Sequence, residues 1–126
     1  MVTIKCSVGE LIDKLSILAV KSTEVKDEEK LKHINHELEV LLSLSEEFFK
    51  IEQITDLYHE LVDTNRKLWK IEDDIRDCER NKDFGEKFIK LARSVYFTND
   101  YRFKLKNEIN DLTNSEIKEQ KDYKKY

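Results

Sequence analysis

Three polar residues of one predicted helix share a face with apolar residues, and their types suit recognition of small charged ligands. With Leu61 at the centre of the apolar stripe and about 100° per residue, three polar side chains fall within about 60° of it: Asn65, Glu72 and Arg76. A buried carboxylate or guanidinium group is strongly destabilising unless it is paired. We therefore expect Glu72 to pair with Arg76 or with a cation of the following helix.

The following helix has the same feature. With Phe88 at the centre of its stripe, further polar side chains fall within about 40° of it: Asn99, Arg102 and Lys106. The two inner sets hold more cations than anions, and a surplus of positive charge is what a phosphate or carboxylate ligand requires. Trp69 is either part of the core or a platform for a sugar or base. The alternative is that the core ends near Glu72 and Asn99, which leaves the inner sets in water.

A second polar group lies on the flank of the fourth helix. Arg93, Tyr96 and Asp100 are related by steps of three and four residues, which place them side by side. They belong either to the ligand site or to a surface salt bridge between Arg93 and Asp100 with an aromatic ring between them.

Other kinds of site have little support. His33, His36 and Glu37 have the spacing of helical metal ligands, but they point away from the apolar stripe of their helix and are expected in solvent. His59 has no serine or cysteine arranged beside it as a nucleophile, and two isolated glycines cannot form a phosphate-binding loop. We therefore expect no metal and no cofactor.

Composition restricts both the fold and the partners. The 126 residues include no proline and two glycines, which disfavours β-rich folds, while a hydrophobic content of 39% indicates a folded chain. The net charge of −4 favours neither nucleic acids nor anionic membranes as partners. The apolar runs are too short to cross a bilayer, and the first six residues do not resemble a secretory signal. The two cysteines lack disulfide or zinc spacing, so we expect reduced packing residues and a cytoplasmic protein.

The helices that must position these side chains follow from apolar periodicity. Val2, Ile4 and Cys6 alternate with polar residues, as in a short extended segment. The sequence 7–10 has the form of a capping box, so the first helix is expected from about residue 8 to residue 23. A second helix follows a polar break at 26–28, and its apolar stripe runs from Leu31 to Phe48.

The third and fourth helices are longer. The third is expected from about residue 51 to residue 80. A second capping box at 83–86 predicts that the fourth begins near residue 84, and it either continues to about residue 112 or breaks at Thr98 and Asn99. The last residues, 115–126, are largely polar apart from Ile117, Tyr123 and Tyr126, and form a short helix or an ordered tail.

Together these elements predict an all-α fold: an antiparallel bundle of four or five helices, two of them long, with a short extended N-terminal segment. No linker divides the chain, so residues 1–126 are expected to form a single domain. An alternative is that the second and third helices form a protruding hairpin that buries its apolar faces against a second copy, which gives a homodimer.

Four segments of the chain carry a resemblance. They are Ser7–Leu18 (SVGELIDKLSIL), Leu68–Arg76 (LWKIEDDIR) preceded by Asn65, Leu91–Arg102 (LARSVYFTNDYR) and Lys121–Tyr126 (KDYKKY). The chain resembles a family of small bacterial and phage proteins classed only as a domain of unknown function, some of them found beside genes for sugar modification and surface polysaccharides. The resemblance implies that one region holds Asn65, Glu72, Asp73, Arg76, Arg93, Tyr96, Asn99, Asp100, Arg102 and Lys106.

The leading hypothesis is that the protein binds a small anionic ligand, such as a phosphate, nucleotide or nucleotide sugar, between the third and fourth helices. The candidate ligand-binding residues are Asn65, Trp69, Glu72, Arg76, Arg93, Tyr96, Asn99, Asp100, Arg102 and Lys106. One alternative is a module for protein interaction or self-association that uses the acidic second and third helices and the tyrosines of the tail. Another is a cofactor-free all-α enzyme, because the stretch Leu11–Leu15 is similar to the first helix of chorismate mutases, which bind a dicarboxylate with Arg and Lys side chains.

Overall fold

The computed structural model describes residues 1–115 and 119–126. These residues form four α-helices and no strand: α1 (Val8–Glu24), α2 (Glu28–Ser45), α3 (Glu52–Arg80) and α4 (Glu86–Thr113), with a 3₁₀ turn at Phe48–Lys50 between α2 and α3. The prediction of an all-α fold with two long helices is therefore confirmed. Residues 119–126 are not helical, and Ile117 of the predicted tail lies outside the described residues.

Local sequence signals set most of the helix ends. The hydroxyl of Ser7 accepts a hydrogen bond from the Glu10 N–H at 3.0 Å, so the predicted cap of α1 is confirmed. The second predicted capping box is wrong. The carboxylate of Asp83 accepts from the Gly85 N–H at 3.2 Å, and α4 begins only after Gly85. From there α4 continues without a break to Thr113.

The hydrophobic core lies between α1 and one half of each long helix, α3 and α4. Its buried residues are Ile12, Leu15, Ile54, Leu57, Leu61, Leu105 and Ile109. Helix α2 packs mainly on α1 and adds the half-buried Leu38 and Leu41, whereas Leu42 of the predicted stripe is exposed. The long paired helices are α3 and α4, so the alternative of a protruding hairpin of the second and third helices is wrong.

The two cysteines have different surroundings. Cys78 is buried on α3, as expected for a packing residue, whereas Cys6 is exposed ahead of α1. Cys6 therefore does not pack in the core. The first six residues are all exposed, so Val2 and Ile4 bury no apolar surface either.

Helix α1 approaches α4 closely at Gly9. The Gly9 N–H donates to the side-chain oxygen of Asn110 at 2.7 Å, and a Cβ atom at position 9 would lie 2.6 Å from the carbonyl oxygen of Lys106. Only a residue without a side chain fits this contact. The contact holds the first half of α1 against α4, so that one turn further along Asp13 of α1 faces Arg102 of α4.

Candidate functional site

An open groove of about 530 Å³ lies where α1, α3 and α4 meet. Helix α1 has 17 residues and the α3–α4 pair has 29 and 28, so the pair continues where α1 has ended and leaves this space beside it. The groove is lined by Ile17 and Val20 of α1, by Asn65, Leu68, Trp69, Glu72, Asp73 and Arg76 of α3, and by Val95, Asn99 and Arg102 of α4. It therefore combines an apolar floor and an indole ring with two amides, two carboxylates and two guanidinium groups.

A buried network fixes the inner end of the groove. Asp13 is only 2% exposed, and its carboxylate accepts hydrogen bonds from Asn65 at 3.0 Å and from the Arg102 Nε at 2.9 Å. The Arg102 Nη2 donates to the second oxygen of Asp13, which completes a bidentate pair, and Asn65 also donates to Ser16. The network joins α1, α3 and α4, which carry three of the four resembling segments, so Asn65 and Arg102 have fixed positions before any ligand arrives.

The hydrogen bonds that Arg102 donates to the Asp13 carboxylate raise the pKa of Arg102 above its ordinary value, so the guanidinium is always charged. Two of its nitrogens are occupied by Asp13, and Nη1 has no acceptor among the described residues. Sequence reasoning misses Asp13 as a site residue. The available signal is its position between Ile12 and Leu15, on the face of α1 that becomes buried.

Lys106 lies outside the groove, one turn beyond Arg102. Its ammonium group contacts Glu10 of α1 at 2.5 Å and Glu119 of the tail at 2.6 Å. Burial disfavours the charged form, but the hydrogen bonds to both carboxylates outweigh burial and raise the pKa of Lys106 above 10.5. Arg102 and Lys106 are thus each neutralised by carboxylates from other parts of the chain. The expected surplus of positive charge is wrong, because local periodicity does not show which carboxylates other helices supply.

Glu72 and Arg76 form the expected ion pair, with 3.5 Å between the carboxylate and guanidinium groups. The pair is not buried, since its side chains are 56% and 75% exposed. For these two residues the alternative of an open end beyond the core is the better description. An exposed pair of this kind contributes little to stability, so Arg76 can turn to a ligand at small cost.

The second predicted group does not line the groove. The Arg93 guanidinium lies over the ring of Phe97, 5.9 Å from its centre, and no ion pair joins it to Asp100 among the described residues, so the surface salt bridge proposed as an alternative is wrong. The Asp100 carboxylate lies near the Tyr126 hydroxyl instead and raises the pKa of Tyr126. The ring centre of Tyr96 lies 5.4 Å from that of Tyr126. These residues face the tail, on the neighbouring side of α4.

Two further observations concern metal binding and membrane insertion. Over residues 1–115 and 119–126, no group of three or more His, Cys, Asp and Glu side chains is arranged to hold a metal ion. Glu37 instead contacts Lys14 of α1 at 3.2 Å. None of the helices described is long and apolar enough to span a membrane.

Fold and groove together define a small all-α protein with a mixed-charge groove between three helices. The chain belongs to the family described as "family of unknown function (DUF6165)", whose model matches residues 2–126. The resemblance to a domain of unknown function is therefore confirmed. No curated protein and no solved structure gives a significant match to the chain.

Proposed function

We propose that the groove binds a small anionic ligand that also carries hydroxyl groups, of the sugar phosphate or nucleotide sugar class. The observation that supports this proposal is the mixture of charges around one indole ring in a groove of about 530 Å³, a volume suited to a small molecule. Six of the ten candidate residues line it: Asn65, Trp69, Glu72, Arg76, Asn99 and Arg102.

Two guanidinium groups with different roles support recognition of the anionic part. Arg102 is held by Asp13 and offers Nη1, which lowers the entropy cost of binding. Arg76 is mobile by comparison, because its partner Glu72 is exposed and 3.5 Å away. A fixed donor and an adjustable one can contact different parts of one anionic ligand along the groove.

The remaining lining supports recognition of a hydroxylated ring. Carboxylates and amides accept or donate hydrogen bonds to hydroxyl groups, and Glu72, Asp73 and Asn99 place such groups around the same opening. An indole face stacks on a sugar or base, and Trp69 is half-buried on the same wall. Inorganic phosphate would leave these hydrogen-bonding groups and the indole without a partner, so the lining favours an anion that also carries many hydroxyl groups.

The test uses Trp69, the single tryptophan of the chain, as a reporter of the groove. Uridine diphosphate glucose is titrated while tryptophan emission is followed, for the wild-type protein and two arginine variants. We expect saturable quenching, and about tenfold weaker binding for Arg76→Ala, which corresponds to about 1.4 kcal/mol.

Arg80→Ala is the matched control. Arg80 is also exposed on α3 and paired with a carboxylate, Asp77 at 3.4 Å, but it does not line the groove. Binding should be unchanged in this variant. Equal weakening in both variants, or no response of Trp69 to sugar phosphates and nucleotide sugars, would contradict the proposal. The interaction module and the cofactor-free enzyme stay predictions.

A further inference from the structure

The C-terminal segment 119–126, here called the tail, folds back along α4. Glu119 contacts Lys106 at 2.6 Å, and the centre of the Tyr126 ring lies 4.4 Å from that of Phe97. Between these two contacts the ammonium group of Lys121 lies over the ring of Phe103, 5.2 Å from its centre. The tail is therefore attached to α4 at both of its ends.

The tail and α4 enclose a second cavity of about 450 Å³, here called the tail pocket. It is lined by Asp100, Phe103, Lys121, Tyr123, Lys124, Lys125 and Tyr126. Asp100 and Phe103 follow Asn99 and Arg102 by one residue each. The tail pocket therefore faces about 100° away from the groove around α4, and the two cavities share no residue.

The charges of the tail pocket are not balanced. Three lysines line it against one carboxylate, that of Asp100. Lys124 and Lys125 have no ion-pair partner among the described residues. Although the whole chain carries a net charge of −4, an anion within a few ångströms responds mainly to these neighbouring lysines.

Aromatic rings accompany these lysines. Phe103 forms one side of the tail pocket and Tyr123 another, and Tyr123 is 82% exposed. An exposed aromatic face stacks on a nucleobase irrespective of its sequence, and lysine is a common phosphate-binding residue. We propose that the tail pocket is a second binding site, for a nucleoside di- or triphosphate, whose phosphates contact Lys124 and Lys125 while its base stacks on the exposed ring of Tyr123.

The experiment is calorimetric titration of ADP into the full chain carrying Arg76→Ala, a change that weakens the groove but not the tail pocket. We expect one ADP to bind per chain without a change in Trp69 emission, because Trp69 lines the groove and does not line the tail pocket. Adenosine lacks the phosphates and pyrophosphate lacks the base, so each should bind at least about tenfold more weakly than ADP.

Two variants locate the site. Replacing both Lys124 and Lys125 with Ala should weaken ADP binding by at least about tenfold. Lys90→Ala is the matched control, because Lys90 is an exposed lysine of α4 outside both cavities, and it should change nothing.

Three results would overturn the proposal: no ADP binding, equal weakening by Lys90→Ala, or ADP binding that quenches Trp69 and survives loss of the two lysines. The last result would assign ADP to the groove. Failure of the groove proposal can be told apart from failure of the tail-pocket proposal. The groove test follows Trp69 emission with uridine diphosphate glucose and does not involve the tail lysines.

Discussion

The groove and the tail pocket lie on neighbouring sides of α4, but their charges are arranged differently. In the groove, Arg102 is paired with the buried Asp13 and Arg76 with Glu72. In the tail pocket, Lys124 and Lys125 line an open cavity without an ion-pair partner among the described residues. Helix packing removes Asp13 and most of Arg102 from water, so these charges must be paired, whereas the exposed charges of Glu72, Arg76 and the tail lysines keep their hydration.

The comparison separates two contributions to binding. The groove offers side chains that are already held in place, since the Asp13 carboxylate of α1 fixes Asn65 and Arg102. The tail pocket provides net charge, on side chains that remain free to move. Mutations of Asp13, Asn65 or Arg102 should therefore change stability and binding together, whereas mutations of the tail lysines should change binding alone.

The largest effect is expected from Asp13→Ala. The change leaves Arg102 and Asn65 without their buried acceptor, and the cost should be about 3 kcal/mol of unfolding free energy, measured by urea denaturation. Asp100→Ala, the corresponding change in the tail pocket, should cost less than about 1 kcal/mol because its partner lies on the exposed tail. Similar costs for the two variants would remove the distinction between a paired groove and an open pocket.

A smaller effect is expected from Gly9→Ala, which tests the helix approach that places Asp13 beside Arg102. The added Cβ would lie 2.6 Å from the carbonyl oxygen of Lys106, a backbone atom that cannot move aside easily. We expect a loss of about 2 kcal/mol in thermal or urea unfolding, together with weaker binding in the groove.

Gly85→Ala is the control for this change, because its Cβ would meet only the Asp83 carboxylate, at 3.5 Å. It should cost well under about 1 kcal/mol. A Gly9→Ala protein as stable as the wild type would mean that α1 can shift on α4, and the groove would then be less fixed than its contacts indicate.

The smallest effect concerns the tail and pH. The hydrogen bond with Lys106 lowers the pKa of Glu119 below its ordinary value of 4.5. The contribution of this contact is therefore present above 4.5 and lost as the pH falls through the lowered pKa. The raised pKa of Lys106 has the opposite sign: its contribution is present below 10.5 and lost only as the pH rises through the raised value.

In the Asp100→Ala protein, which lacks the other carboxylate near Tyr126, acidification from about pH 6 to about pH 3 should thus shift the NMR signals of Tyr126 while the Trp69 indole signal stays in place. Adding Glu119→Gln to this protein should abolish the transition. Tyr126 signals that stay constant in the Asp100→Ala protein would mean that the aromatic contacts hold the tail without Glu119.

Sequence reasoning placed most of the candidate groove but not its charge. Asn65, Arg76 and Arg102 were found from their position on apolar stripes, since helical periodicity shows which side chains share a face. Asp13 was missed, because the carboxylate that neutralises Arg102 is 89 positions away in the chain. For the tail the sequence predicts only a short helix or an ordered segment, because its contacts with Lys106 and Phe97 follow no local pattern.

The sequence by itself determined the all-α class, the bounds of α1 and α3 to within a residue, and the cap at Ser7. These features depend on interactions between residues three or four positions apart. The tertiary structure alone decided that Arg102 and Lys106 are neutralised, that Glu72 and Arg76 are exposed, and that the tail lies on the side of α4 that neighbours the groove. Charge balance and burial depend on which helices pack together. The packing partners are decided when apolar stripes that are far apart in the sequence form one core.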